Sequence, residues 1–317
     1  MRTPYHLRVR RHRLDLDVSA AGVPGLGRLA ADLVVPDGAT EGPLLVCFPG
    51  GGMSRRYFDL PEAAGERWSM AAHLADRFGL AVAMVDHPAA GESDMPDDPW
   101  VLVPTLVADV DVVGLRSLLA QCEGSDLWRA TRLVGCGHSM GSMLMTRMQS
   151  RHRSFDAVVL LGYTGGGLPD HVPAAALELV DDVDGFESAL PHLTRERFGA
   201  PLRRSSGPAS DFLAPDASPE ARRVIESAST DLLTMSALAA MTPHSANDAV
   251  EAIDVPVFLG VGERDIAGPP TTLVERLVAA PRVEAYVLSG AGHNQSISPR
   301  RAELWDAVGR FVSATAR

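Results

Sequence analysis

Apolar and polar positions alternate over residues 5–18 and again over 28–36, and a turn rich in Gly and Pro separates the two runs. A period of two is that of a half-buried strand, so the pattern predicts an antiparallel pair. Further along, the alternation gives way to short apolar runs: LLVCF (44–48), LAVAMVD (80–86), TRLVGCG (131–137), FDAVVLLGY (155–163), VPVFLGVGE (255–263) and VEAYVLSG (283–290). Runs of this kind read as strands covered on both faces. Helical spacing near 66–78, 104–121, 140–150, 271–279 and 299–315 separates most of them. The prediction is an α/β fold with a doubly wound, mostly parallel central sheet.

One interval breaks the alternation. About ninety residues lie between Tyr163 and Pro256, where a crossover between parallel strands needs about a dozen. TGGGLPD and LRRSSGPASDF within it are loop-like, while 173–181, 218–228 and 230–241 have helical spacing. The expectation is a helical cap, residues 164–249, inserted into a core formed by 1–163 and 250–317.

Composition narrows the class of partner. The 317 residues carry a net charge of −11, and every basic residue is arginine. No basic stripe offsets the acidic balance, so nucleic acid is not an expected partner. Lysine-free, Ala- and Arg-rich usage suggests a GC-rich bacterial genome. Cys47, Cys122 and Cys136 are odd in number and unpaired in spacing, which predicts neither a disulfide framework nor a zinc site. Cys136 reads as a small core residue. The basic N-terminus precedes no apolar stretch, and no run is long enough to span a membrane. A cytoplasmic protein is the expectation; nothing in the pattern fixes its oligomeric state.

Candidate chemistry centres on GCGHSMGSM, residues 135–143. The motif GHSMG is weak alone, because a serine hydroxyl needs a base to take its proton and a third group to orient that base. Here an apolar strand runs directly into Ser139 and helix-compatible MLMTRMQS follows. That strand-to-helix turn exposes a nucleophile and sets it at a helix N-terminus, where developing negative charge is favoured. His293, in LSGAGHNQS, follows the last strand at a Gly-Ala-Gly turn and is the candidate base. GVGERDIAGPP offers Glu263 and Asp265 as the orienting acid, and Asp265 is preferred because it lies beyond the strand end. In FPGGGMS, the backbone N–H groups of Gly51 or Gly52 can share an oxyanion with the N–H of Met140. The same glycine run lacks the endings of a phosphate loop.

These motifs resemble the α/β-hydrolase superfamily over nearly the whole chain, in the chain order Ser139, Asp265, His293. VDHPAAGESD (85–94) is similar to the loop that follows the fourth strand in that family. Three positions depart from it: Pro49 stands where the oxyanion loop usually has histidine, Ala89 replaces a glycine, and Ser142 replaces the glycine after the elbow. The resemblance implies an acyl-enzyme mechanism with Ser139 as nucleophile, and no metal or organic cofactor. It implies a small-molecule acyl substrate, with a carboxylic ester or lactone ranked first. Thioester hydrolysis, acyl transfer and carbon–carbon bond hydrolysis would use the same residues. A non-catalytic receptor is the alternative of another class, and the intact serine, acid and histidine favour an enzyme.

Overall fold

The computed structural model describes residues 9–205 and 217–315. The opening antiparallel pair is present as β1 (Val9–Asp17) and β2 (Arg28–Pro36). Then come β3 (Glu41–Phe48), a short hairpin of β4 (Asp59–Ala63) and β5 (Glu66–Ser69), α1 (Met70–Phe78) and β6 (Ala81–Val85). The chain continues through α2 (Pro104–Gly124), β7 (Arg129–His138), α3 (Met140–His152) and β8 (Ala157–Leu161). After a long excursion it returns through β11 (Val257–Gly262), α9 (Thr271–Arg276), β12 (Val283–Leu288) and α10 (Arg301–Ala314).

Eight strands form one sheet in the order β1-β2-β6-β3-β7-β8-β11-β12. The β2 strand is antiparallel to both neighbours, and the pairs from β6 to β12 are parallel. Parallel strands need cover on both faces, and two buried apolar clusters supply it. One packs α2 and α3 against the sheet through residues such as Val107, Leu118 and Met143. The other packs α1 and α10 through Leu74, Trp305 and Phe311. Cys47 and Cys136 are register partners on β3 and β7, buried and free, so Cys136 is a core residue.

The excursion between β8 and β11 holds α4 (Ala174–Glu178), α5 (Val183–Phe198), β9 (Leu202–Arg204), α6 (Pro219–Glu226), β10 (Asp231–Leu233), α7 (Thr234–Met241) and α8 (Asn247–Glu251). Two expected helices start late. Residues 66–69 are a strand because Leu60 pairs with Trp68, and Ser69 then caps α1 by accepting from Ala72 N. Likewise Asp231–Leu233 pairs with Leu202–Arg204 before α7 begins. Most of the predicted loop LRRSSGPASDF lies outside the described residues, but its first three residues are strand β9. No described helix is long and apolar enough to cross a membrane.

Candidate active site

The β3 and β7 strands lie side by side, so the loops leaving their C-terminal ends meet above the sheet. Ser139 sits on the turn from β7 into α3 with φ 54° and ψ −118°. A non-glycine residue in that region is strained, and here the surroundings enforce it. The Ser139 N–H donates to the Leu161 carbonyl at 2.8 Å. A side chain on Gly137 would strike Ser142 and the Gly141 carbonyl, and one on Gly141 would strike the Phe48 and Pro49 carbonyls. Ser142, the departure after the elbow, has a use: its hydroxyl donates to the Leu161 carbonyl (3.0 Å) and accepts from the Leu161 N–H (3.1 Å). It thereby ties α3 to the end of β8.

The three residues proposed from sequence come together. His293 Nε2 lies 2.9 Å from Ser139 Oγ, and His293 Nδ1 lies 2.7 Å from Asp265 Oδ1. Asp265 also accepts from the Ala267 N–H at 3.0 Å and from Gln295 Nε2 at 2.8 Å. Burial pushes the Asp265 carboxyl up, but the histidine beside it and these donors outweigh that and hold it below its ordinary value. Glu263, the rival acid, points elsewhere. Its carboxylate is exposed and accepts from Ser289 Oγ and the Gly290 N–H, which closes the turn after β12.

Gly51 lies against Met140: a Cβ placed on Gly51 would be 3.6 Å from the Met140 sulfur. Met140 is the first residue of α3, where backbone N–H groups have no helical acceptor. Gly52 turns the other way. Its carbonyl accepts from the Thr230 N–H at 2.9 Å, and its φ of 73° requires glycine. Of the two loop candidates, Gly51 is the one beside Met140.

Residues that sequence reasoning did not single out support this arrangement. Gln295 anchors the acid. His138 donates from Nε2 to the His293 carbonyl at 3.0 Å and stacks on Tyr57 at 4.5 Å. Burial, then the neighbouring His293, lowers His138 to about 3, so it is neutral. Arg55 is buried and reaches Asp86 Oδ2 at 2.5 Å and Asp32 at 2.7 Å. His87 and Asp111 form a second buried pair at 2.6 Å. His138, Gln295, Asp86 and His87 stand inside the motifs quoted above, but their partners are brought to them by the loop crossings.

Ser139, His293, Gly51 and Met140 border a cavity of about 530 Å³. Leu232, Ala237, Ala240 and Met241 of the excursion line it as well, with Tyr163, Phe198 and Ile266. Cavities of this size suit small organic ligands.

The family model described as alpha/beta hydrolase family matches residues 45–307. The chain belongs to the alpha/beta hydrolase family. It is accordingly a hydrolase enzyme. Similar solved structures include a thermophilic esterase from Thermogutta terrifontis, at 18% identity and TM-score 0.61, covering 96% of this chain and 100% of that one. A lipase in its open form is 20% identical, with TM-score 0.64 and coverage of 97% and 100%. A monoacylglycerol lipase from Paleococcus ferrophilus is 17% identical, with TM-score 0.60 and coverage of 96% and 99%. At these identities the likeness is one of fold. Comparison with curated protein sequences finds no match.

Proposed function

We propose that this hydrolase cleaves a carboxylic ester or lactone of a small organic molecule through an acyl-enzyme. Ser139 Oγ attacks the acyl carbon, and His293 Nε2 takes the hydroxyl proton. Asp265 holds the imidazolium that forms, and the N–H groups of Gly51 and Met140 receive the charge that develops on the carbonyl oxygen. Collapse of the tetrahedral intermediate breaks the bond to the leaving oxygen, which His293 protonates. Water deprotonated by His293 then attacks the acyl carbon and releases the acid. Residues 164–249 act as the cap, closing the cavity over the serine and excluding bulk water.

The observation that carries this reading is the continuous contact Asp265–His293–Ser139 at 2.7 and 2.9 Å beside a cavity with a largely apolar wall that also carries Arg197, Arg203 and Arg204. The test is labelling with an alkyl fluorophosphonate beside an activity screen across acyl chain lengths, lactones and thioesters. The wild type should label, and Ser139→Ala should not. Ser139→Ala and His293→Ala should each remove most turnover, and the double variant should lose little more, since the two act as one unit. Near-normal turnover by Ser139→Ala would refute the assignment.

A further inference from the structure

The oxyanion loop runs Pro49-Gly50-Gly51-Gly52. Three consecutive glycines have the greatest backbone freedom of any tripeptide, so the loop depends on the partners of its carbonyls to hold its N–H groups in place. An oxyanion site works only if its donors are fixed before the charge develops. Two of the loop's carbonyls have backbone partners: Gly50 accepts from the Met53 N–H at 3.1 Å and Gly52 from the Thr230 N–H at 2.9 Å. Past its far end, the Arg55 N–H and guanidinium both reach Asp86. Its near end begins with proline, which has no N–H and offers only its carbonyl.

That carbonyl has one side-chain partner among the described residues: His87 Nε2, at 3.2 Å. His87 lies in the loop after β6, stacks on Phe48 at 5.6 Å and is 1% exposed. Its other nitrogen is 2.6 Å from Asp111 on α2, which is fully buried. A carbonyl can only accept, so Nε2 must carry hydrogen. The pair can be imidazolium with carboxylate or imidazole with carboxylic acid. Both forms are neutral overall and both keep the Nε2 donor. Burial raises Asp111, and although burial alone would lower His87, the carboxylate beside it raises it, so the pair keeps its proton.

We propose that His87, clamped by Asp111, is a positioning residue for the oxyanion loop. It grips the Pro49 carbonyl, and because the Pro49–Gly50 peptide is planar, this fixes the Gly50 N–H and Cα, from which the Gly51 peptide departs with its carbonyl side held by the Met53 N–H. The imidazole reaches the loop from the end of the adjacent strand, β6. The proposal rests on the serine-hydrolase reading above.

Two substitutions separate the role from simple packing. The side chain in His87→Gln is long enough to donate to Pro49, whereas that in His87→Asn reaches Asp111 but falls short of the carbonyl. The readouts are the second-order labelling rate with an alkyl fluorophosphonate, whose P=O occupies the oxyanion site, and the melting temperature. Wild-type labelling that disappears in Ser139→Ala establishes the nucleophile independently. Given that, His87→Asn should label about 10- to 100-fold more slowly, and His87→Gln should recover most of the rate. With p-nitrophenyl butyrate the Asn loss should fall on kcat more than on KM. Asp111→Leu, which unclamps the ring, should resemble His87→Asn. If both His87 variants label within twofold of each other, whether fast or slow, the proposal is overturned. Should His87→Asn not fold, Asp111→Leu compared with Asp111→Asn decides it, with equal rates for the two again counting against.

Discussion

Leu232 of the excursion presses on Gly51 of the glycine loop after β3: a Cβ on Gly51 would stand 2.7 Å from Leu232 Cδ1. The contact joins β10 to the loop proposed to supply the oxyanion donors, and Leu232 also borders the cavity. Replacing Gly51 with alanine should therefore cost activity by about 100-fold or more while leaving the melting temperature nearly unchanged. Leu232→Ala should shift the preferred acyl chain length upward by opening that wall. An unchanged chain-length profile would show that Leu232 touches the loop and not the substrate.

Its neighbours in β10 and α7 divide differently. Leu233, Met235 and Leu238 are buried in the core cluster and do not border the cavity, whereas Ala237, Ala240 and Met241 do. The apolar run DLLTMSALAAM could not reveal this division, because nearly every residue in it is apolar. Met235→Ala and Leu238→Ala should each destabilise by about 2–5 kcal/mol, read by denaturant titration, with chain-length preference unaltered. A changed preference in either variant would move that side chain from core to pocket.

Asp265 and Glu263 stood two residues apart with equal chemistry on paper, and geometry separates them. Asp265→Asn should lower kcat by about 10³-fold or more, because the amide no longer selects the imidazole tautomer that offers a lone pair to Ser139. Glu263→Gln loses only an exposed turn contact, and activity should stay within about twofold. Steady-state kinetics on the best ester found by the screen measures both. The reverse result would transfer the acid to Glu263.

The parallel strands, the strand-to-helix turn at Ser139 and the meeting of Ser139, Asp265 and His293 were legible because each depends on local order: an apolar run, then a turn, then one polar residue. The 16-residue helix α5 was not. Its buried Phe186, Leu190 and Leu193 have helical spacing, but Gly185 and Pro191 interrupt the pattern and acidic residues precede it. The hairpin of β4 and β5 was missed because its four-residue second strand merges in sequence with the helix it introduces. His87 and Asp111 are 24 residues apart on different elements, so only the packing of α2 against the β6 loop brings them together. Support for a site is non-local in this way even when the site itself is announced by a motif.

Ser139 is held at positive φ, a conformation that glycine adopts freely. Ser139→Gly should abolish turnover yet stabilise the fold by about 1 kcal/mol, since the released strain exceeds the added chain entropy of glycine. Ser139→Ala removes the hydroxyl but keeps the strain, and should gain nothing comparable. Denaturant midpoints of the two variants provide the comparison. Equal stability would mean the elbow stores no strain.

His138 supplies a pH test with a definite sign. Its ring is packed between Tyr57, stacked at 4.5 Å, and His293, 5.0 Å away, with Asp265 beyond. Burial first and His293 second lower it from 6.5 to about 3. Unfolding releases the imidazole to its ordinary value, so below pH 6.5 the unfolded chain binds a proton that the folded chain refuses. The contribution of His138 to stability is therefore fully present above pH 6.5 and is lost as the pH falls toward 3, by up to about 1.4 kcal/mol per unit. His138→Gln keeps a donor for the His293 carbonyl without a titrating ring. The stability difference, wild type minus His138→Gln, should be flat from pH 8 to 7 and should decline steadily from pH 6 to 4. A difference that stays constant across that range would mean the folded protein admits the proton, and that the ring is not held neutral beneath the site.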